Sequence, residues 1–352
     1  MSTNRLPPIP VIDGHNDFPW TARTARGYSV EGMEEDKLSL HTDIPALRNG
    51  GVAGQFWSVW VHSAIEGADS VQATLEQIDF VHRMAARYPE TFRLASTADD
   101  VRRSMKDGLI ASLIGVEGGG QINGSLAVLR SYARLGARYL TLTWTSSSSW
   151  ADSATGDPVN NGLTGFGREV IAEMNRIGML VDLAHTSVKT MHDALDVSTR
   201  PVINSHAGAY AVNPHPRNVP DDVIRRVAET GGVHMVTFVP SFMSAERSAW
   251  SIGGKEGPMP PVDVRAVADH VDHVRSVAGI DGVGLGGDFD GSDVMPEGLD
   301  TVAGYPNLFA ELSRRGWHND DLNKLASENI LRVLESADED YRSFLQTGSG
   351  AG

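Results

Sequence analysis

The 352-residue chain contains no cysteine. That excludes disulfides, thiolate-held metal and a cysteine nucleophile, so any transition metal has to rest on imidazole and carboxylate. Positive charge is scarce as well: 30 Lys and Arg stand against 45 Asp and Glu, a formal net charge of -15. Such a balance favours solubility and opposes a grip on phosphate backbones or anionic lipid, so neither nucleic acid nor a membrane is an expected partner. No apolar run reaches the roughly 18 residues of a membrane span, and the start, MSTNRLPPIP, lacks the cationic and apolar regions of a signal peptide. A cytoplasmic location is the expectation.

What the chain has instead is a series of short, β-branched apolar runs: PVID (10–13), GQFWSVWV (54–61), IASLIGV (110–116), RYLTLTW (138–144), MLVDLA (179–184), PVINS (201–205), GVHMVTFV (232–239) and GVGLGG (282–287). Several are almost continuously apolar, as strands buried on both faces of a parallel sheet are. Helical spacing fills the intervals, at 71–87, 166–177, 266–277 and 319–335. Eight strands alternating with helices predict an α/β protein, a (β/α)8 TIM-type barrel, over an open doubly wound sheet. An open sheet would carry a glycine-rich phosphate turn after its first strand, and here that strand runs into DGHND. Residues 1–340 are expected to form one catalytic barrel domain and 341–352 a disordered tail ending in TGSGAG. Residues 21–49, 145–165 and 240–262 read as long irregular connections, the kind that carry function in such folds.

The polar residues at the ends of these runs form the main pattern. His15 and Asp17 follow the first, Glu117 the third, His185 the fifth, His206 the sixth and Asp288 the eighth. In a barrel, the carboxyl ends of all strands open on one mouth, so these residues would meet there. Residues i and i+2 of a strand share a face, which would aim His15 and Asp17 at one point. Three imidazoles with carboxylates and no thiolate match the ligand set of zinc and could also take cobalt or manganese, and five ligands exceed what one catalytic zinc uses, so two ions are expected. The other histidines are assigned no chemistry. Asp269 and His273 would pair at i, i+4 on a helix, but a solvated face accounts for them. EGGGQING (117–124) fails the dinucleotide glycine pattern, and DFDGSD (288–293) fails the calcium-loop pattern at its glycine and its terminal glutamate.

With these residues in view, the chain resembles the membrane (renal) dipeptidase family of zinc peptidases, a branch of the amidohydrolase-type barrels, and is most similar to its bacterial soluble members. VIDGHNDFPW, GVEGG, LTLT followed by WADSA, GMLVDLAH, PVINSHAGAYAV, HPRNVPDD and GLGGDFDG carry the resemblance, in family order, from about residue 9 to 337. It implies that His15 and Asp17 bind one zinc, that His185 and His206 bind the other, and that Glu117 bridges both. It implies further that Arg217 binds the terminal carboxylate of the substrate and that Asp288 shuttles the proton. One position departs: where many members carry a histidine after LTLT to polarise the scissile carbonyl, this chain has Trp144. An indole donates a hydrogen bond but bears no charge, and loss of such a donor costs roughly 100- to 1000-fold in rate.

The expected function is hydrolysis of a dipeptide amide by a hydroxide held between two zinc ions, and the family resemblance implies tolerance of a D-configured C-terminal residue. The alternative keeps the metals and changes the bond to another amide, a lactam or an N-acyl amino acid, with Trp144 as its reason. A barrel that binds peptides without catalysis is a third reading, opposed by the intact set of ligand positions. The expected partners are a dipeptide and, in a homodimer, a second copy of the chain.

Overall fold

Val11–Asn16 forms the first strand, β1, and every residue of it is buried, Asp13, His15 and Asn16 included. The computed structural model describes residues 9–35 and 40–347. The further strands are β2 (Val52–Trp60), β3 (Phe92–Leu94), β4 (Ile110–Glu117), β5 (Ala137–Thr141), β6 (Leu180–Asp182), β7 (Val202–Ala207), β8 (Val233–Val236) and β9 (Val283–Leu285). All pair in parallel, in the order β1-β2-β4-β5-β6-β7-β8-β9. The ring is drawn together just beyond β9, where Asp288 N–H donates to the His15 carbonyl (3.1 Å) and Asp17 N–H to that of Phe289 (2.9 Å). Asp13 adds its carboxylate, which accepts the Gly287 N–H at 2.8 Å. The fold is the TIM-type α/β barrel that the apolar runs predict.

Two apolar layers hold it. Ile12, Phe56, Leu113, Tyr139, Leu180, Ile203 and Met235, one from each of seven barrel strands, pack together with Ile330, Val333 and Leu334 of the helix Asn329–Ser336. A second, larger cluster lies between the strands and the surrounding helices. The helix expected over 319–335 is interrupted: Asn319–Asn323 is followed by a π turn at Lys324–Glu328 before Asn329–Ser336 begins. The wider turn shifts the phase of the apolar face. Leu322 and Leu325 therefore join the larger cluster, whereas Ile330 and Val333 reach the inner one.

Other expectations are corrected. β3 is an unforeseen strand; it pairs with β4 from Ile110 to Ser112, and β5 takes over as the neighbour from Ile114. The segments 21–49 and 240–262 are not wholly irregular. The first holds most of the helix Phe18–Arg26 and all of Ile44–Asn49, whose start is capped by Asp43 accepting the Ala46 N–H at 2.6 Å. The second holds Pro240–Met243 and Ala245–Ile252. The tail expected from residue 341 is in part a helix, Asp338–Thr347, because Tyr341 and Phe344 are buried and the Tyr341 hydroxyl donates to the Ala133 carbonyl at 3.0 Å. Residues 348–352 of that tail lie outside the described residues. Among the described residues, no helix is long and apolar enough to cross a membrane.

Candidate metal centre

Six polar side chains from five strand ends converge at the carboxyl mouth of the barrel. Glu117 is the last residue of β4 and His206 lies within β7, while His185 and Asp288 stand three residues past β6 and β9. Asp17 reaches the site by a different route from the strand alternation expected of it: β1 ends at Asn16, and Asp17 occupies the turn that starts the helix Phe18–Arg26. His185, Asp288 and Asp290 all take left-handed backbone conformations, at φ 65°, 62° and 62°. That concentration of unfavourable backbone at one mouth fits a site where placement outweighs local comfort. A Cβ on Gly291 would fall 2.2 Å from Asp17 Oδ2 and 2.3 Å from Asp288 Oδ1, so any side chain there would displace the carboxylates of the cluster.

The Glu117 carboxylate is divided between two groups. Its Oε2 lies 3.2 Å from His15 Nε2 and accepts the Ser58 hydroxyl at 3.0 Å. Its Oε1 lies 2.8 Å from His185 Nε2 and 3.5 Å from His206 Nε2. Asp17 Oδ2 stands 3.5 Å from His15 Nε2, and the two Nε2 atoms of His185 and His206 approach to 2.9 Å. The far nitrogens are anchored in two of the rings. His15 Nδ1 meets the Tyr139 hydroxyl at 3.0 Å, and His206 Nδ1 meets the Ser205 hydroxyl at 2.8 Å. The Ser205 hydroxyl donates to Asp182 Oδ2 at 2.6 Å, so it is left to accept the N–H of His206. The lone pair of that ring then lies on Nε2, facing Glu117.

These groups suit a cation. His15 Nε2 and Asp17 Oδ1 are buried without a hydrogen-bond partner, a costly state in a bare protein. Atoms of His15, Glu117 and His206, and of His15, Asp17 and Asp288, cluster closely enough to ligate an ion. Burial lowers His185 to about 4 and His206 well below the usual imidazole range, with Arg217 adding to the first and His15 to the second, so both are neutral donors at pH 7. Burial also opposes charge on Glu117, but the charge of His15, with the hydrogen bonds of His185 and His206, holds it well below the carboxylate range. Asp288 is pushed well above that range by burial and by the negative Asp17 and Glu117, against the pull of His15.

Above the cluster lies a cavity of about 640 Å³, lined by Asp17, Glu117, His185 and Asp288 and walled on one side by Trp20, Trp60 and Trp144. His215, Arg217 and Phe242 line it as well. Arg217 is only 3% exposed; one Nη2–H donates to the His206 carbonyl at 3.3 Å, and its Nε and Nη1 have no partner. Burial lowers its guanidinium to about 10, which still leaves it charged, and its charge lies over the Phe242 ring at 5.2 Å. The charge is buried and half satisfied, as expected of an anion receptor. His215 Nδ1 accepts the Arg217 N–H at 3.1 Å, which leaves Nε2 to carry the hydrogen of the neutral ring.

All eight residues singled out from the sequence therefore lie in or under one cavity. Missed there were Trp20 and Trp60; His215, inside HPRNVP; Asp290, whose Oδ1 accepts the His41 backbone N–H at 2.9 Å; and the supports Tyr139, Asp182 and Ser205. The DHVDH residues take no part: His273 pairs with Asp221 and Asp269 with Arg315.

Comparison with known proteins bears on the assignment. The pattern of the family described as membrane dipeptidase, peptidase family M19, matches residues 5–347. An uncharacterized dipeptidase of Schizosaccharomyces pombe is 42% identical over 345 residues, 94% of this chain and 81% of that protein. A solved structure of dipeptidase AC, a family M19 metallopeptidase, superposes with a TM-score of 0.84 at 28% identity, covering 94% of this chain and 98% of that one. A Rhodobacter sphaeroides metallopeptidase bound to a phosphinate mimic of the dipeptide L-Ala-D-Ala gives the same score and identity, over 94% of this chain and 99% of that one.

Proposed function

The chain belongs to the membrane dipeptidase family, peptidase family M19, and is a peptidase; on that premise we propose that it is a dipeptidase working with two zinc ions. The observation that carries the reading is the divided Glu117 carboxylate, one oxygen toward His15 and the other toward His185 and His206. His15 and Asp17 would hold one ion, His185 and His206 the other, and Glu117 both. Zinc, when bound, supplies Lewis acidity and lowers the pKa of a coordinated water toward neutrality.

The chain's own residues do the rest. Arg217 offers two unpaired groups, Nε and Nη1, to the C-terminal carboxylate of the substrate, fixing its register. Asp288, which lines the cavity beside the cluster, would in its ionised form take the proton released by the attacking water and return it to the leaving amine. The tryptophan wall keeps bulk water from the reacting carbonyl. Tolerance of a D-configured C-terminal residue is supported by the L-Ala-D-Ala mimic held by the Rhodobacter sphaeroides protein. Trp144 favours a second reading, hydrolysis of a lactam or N-acyl amino acid, because it puts an uncharged indole in the cavity where a polarising imidazole is expected.

The test is turnover by zinc-loaded protein of L-L and L-D dipeptides beside N-acyl amino acids and lactams. Dipeptides are expected to be cut fastest. Turnover confined to N-acyl amino acids or lactams would favour the second reading.

A further inference from the structure

A second cavity, of about 680 Å³, adjoins the one above the metal cluster. It is bounded by the segment from Val61 to Gly67, by Gly118–Gly120 and by the serines Ser146–Ser149. Apart from Glu66 its lining is uncharged, largely hydroxyl and glycine, a surface suited to peptide backbone. Of all the residues around the two spaces, Trp144 alone lines both.

The indole is held where it stands. Its ring packs on Trp60 at 4.6 Å and lies 5.5 Å from His62, while Trp60 packs in turn on Trp20 at 4.5 Å. Its chain neighbours are pinned: the Thr143 hydroxyl donates to the His185 carbonyl at 3.1 Å, and the Thr145 carbonyl accepts the hydroxyls of Ser153 (2.9 Å) and Thr155 (3.0 Å). Beneath it, Gly118 adopts φ 121°, and a Cβ there would already lie within 3.8 Å of the Trp144 Cβ. Half-buried, edge-on ring packing and anchored flanks make a partition, since swinging such a side chain aside would break that packing.

We propose that Trp144 limits the substrate to two residues, by closing the metal-site cavity on its amino-terminal side, and that removing the indole would join the cavities and admit a longer chain. The inference rests on the dipeptidase reading for its direction. With the carboxylate at Arg217, in the Phe242 wall, and the scissile carbonyl over the metal cluster, the amino end is left to face the tryptophan wall. A third residue on that end would have to occupy the space of the indole. On the far side it would meet the polar lining of the second cavity.

The experiment compares wild type, Trp144→Ala and Trp144→Phe, all zinc-loaded, on Ala-Ala and Ala-Ala-Ala, following release of the C-terminal alanine. The tripeptide-to-dipeptide ratio of kcat/KM should rise tenfold or more in Trp144→Ala and stay low in Trp144→Phe, whose ring keeps most of the wall. An unchanged ratio in Trp144→Ala, or a wild type that cuts both peptides equally, overturns the proposal. Calorimetric binding of Ala-Ala-Ala is measured in parallel and needs no turnover. If the wild type cuts neither peptide, the dipeptidase reading fails, and the partition stands or falls on whether Trp144→Ala binds the tripeptide at least tenfold more tightly. Melting curves of both variants establish that they are folded.

Discussion

The hydroxyl of Tyr139 lies 3.0 Å from His15 Nδ1, on the side of the ring away from the carboxylates. The same hydroxyl donates to the Gly14 carbonyl at 3.2 Å, and a carbonyl can only accept. Both contacts are hydrogen bonds only if Nδ1 of His15 carries its hydrogen, which leaves Nε2 as the nitrogen presented to Asp17 and Glu117. Burial pushes the phenol far above its ordinary range, so it stays protonated. The fold clears space for this ring: a Cβ on Gly115 would fall 1.9 Å from its Cζ.

Replacing Tyr139 by Phe keeps the ring and removes the hydroxyl. Metal affinity, read by competition with a chromogenic chelator, should fall by roughly 10- to 100-fold, the usual cost of losing a hydrogen bond that orients a ligating imidazole. Affinity equal to the wild type would mean that the hydroxyl does not set the ring.

Glu117→Gln tests the shared carboxylate. An amide keeps the volume but presents one oxygen and one NH₂ group, so it cannot accept on both sides. Zinc content after reconstitution should drop from near two equivalents to below one, both sites failing together. A variant that retains one full equivalent would show that Glu117 serves a single ion.

How far the site could be read from the sequence depended on whether a residue broke its local pattern. Glu117 ends a run of apolar residues, and His206 stands with Asn204 and Ser205 at the end of another, so each stood out as polarity where a core strand should stay apolar. Tyr139, Trp20 and Trp60 are apolar residues in or beside apolar runs, and their tertiary partners alone give them a role. Arg217 is the instructive case. Nothing within HPRNVP distinguishes a buried guanidinium from a surface one, and family resemblance supplied the role. β3 escaped notice because FRL is too short to show a period, and the helix Ile44–Asn49 because its signal is one capping aspartate and a proline.

Arg217→Ala should raise KM and lower kcat/KM by about 100-fold, the scale of losing two charge-assisted hydrogen bonds to a carboxylate. Wild-type protein should discriminate against a C-terminally amidated dipeptide to a similar degree, and the variant should not. Equal turnover of the free acid and the amide by the wild type would remove Arg217 from the carboxylate site.

Stability should fall on mild acidification, and His234 supplies part of the reason. The ring is fully buried in β8; Nε2 meets the Ala207 carbonyl at 3.0 Å, and Nδ1 has no partner. Burial lowers its pKa from 6.5 to about 4, with small further contributions from His270 and His273, partly offset by the Ala207 carbonyl. Between these two values the unfolded chain binds a proton that the folded chain refuses, so the stability present above about pH 6.5 is lost as the pH falls toward 4. At pH 5 the loss from this one group is on the order of 2 kcal/mol. His234→Gln keeps an N–H for the Ala207 carbonyl and removes the titration. Its melting temperature should therefore drop less than that of the wild type between pH 7 and pH 5, by a few degrees. Acid loss of bound metal would affect both proteins alike and cancels in the comparison. Identical drops would mean that His234 does not titrate across folding in this range.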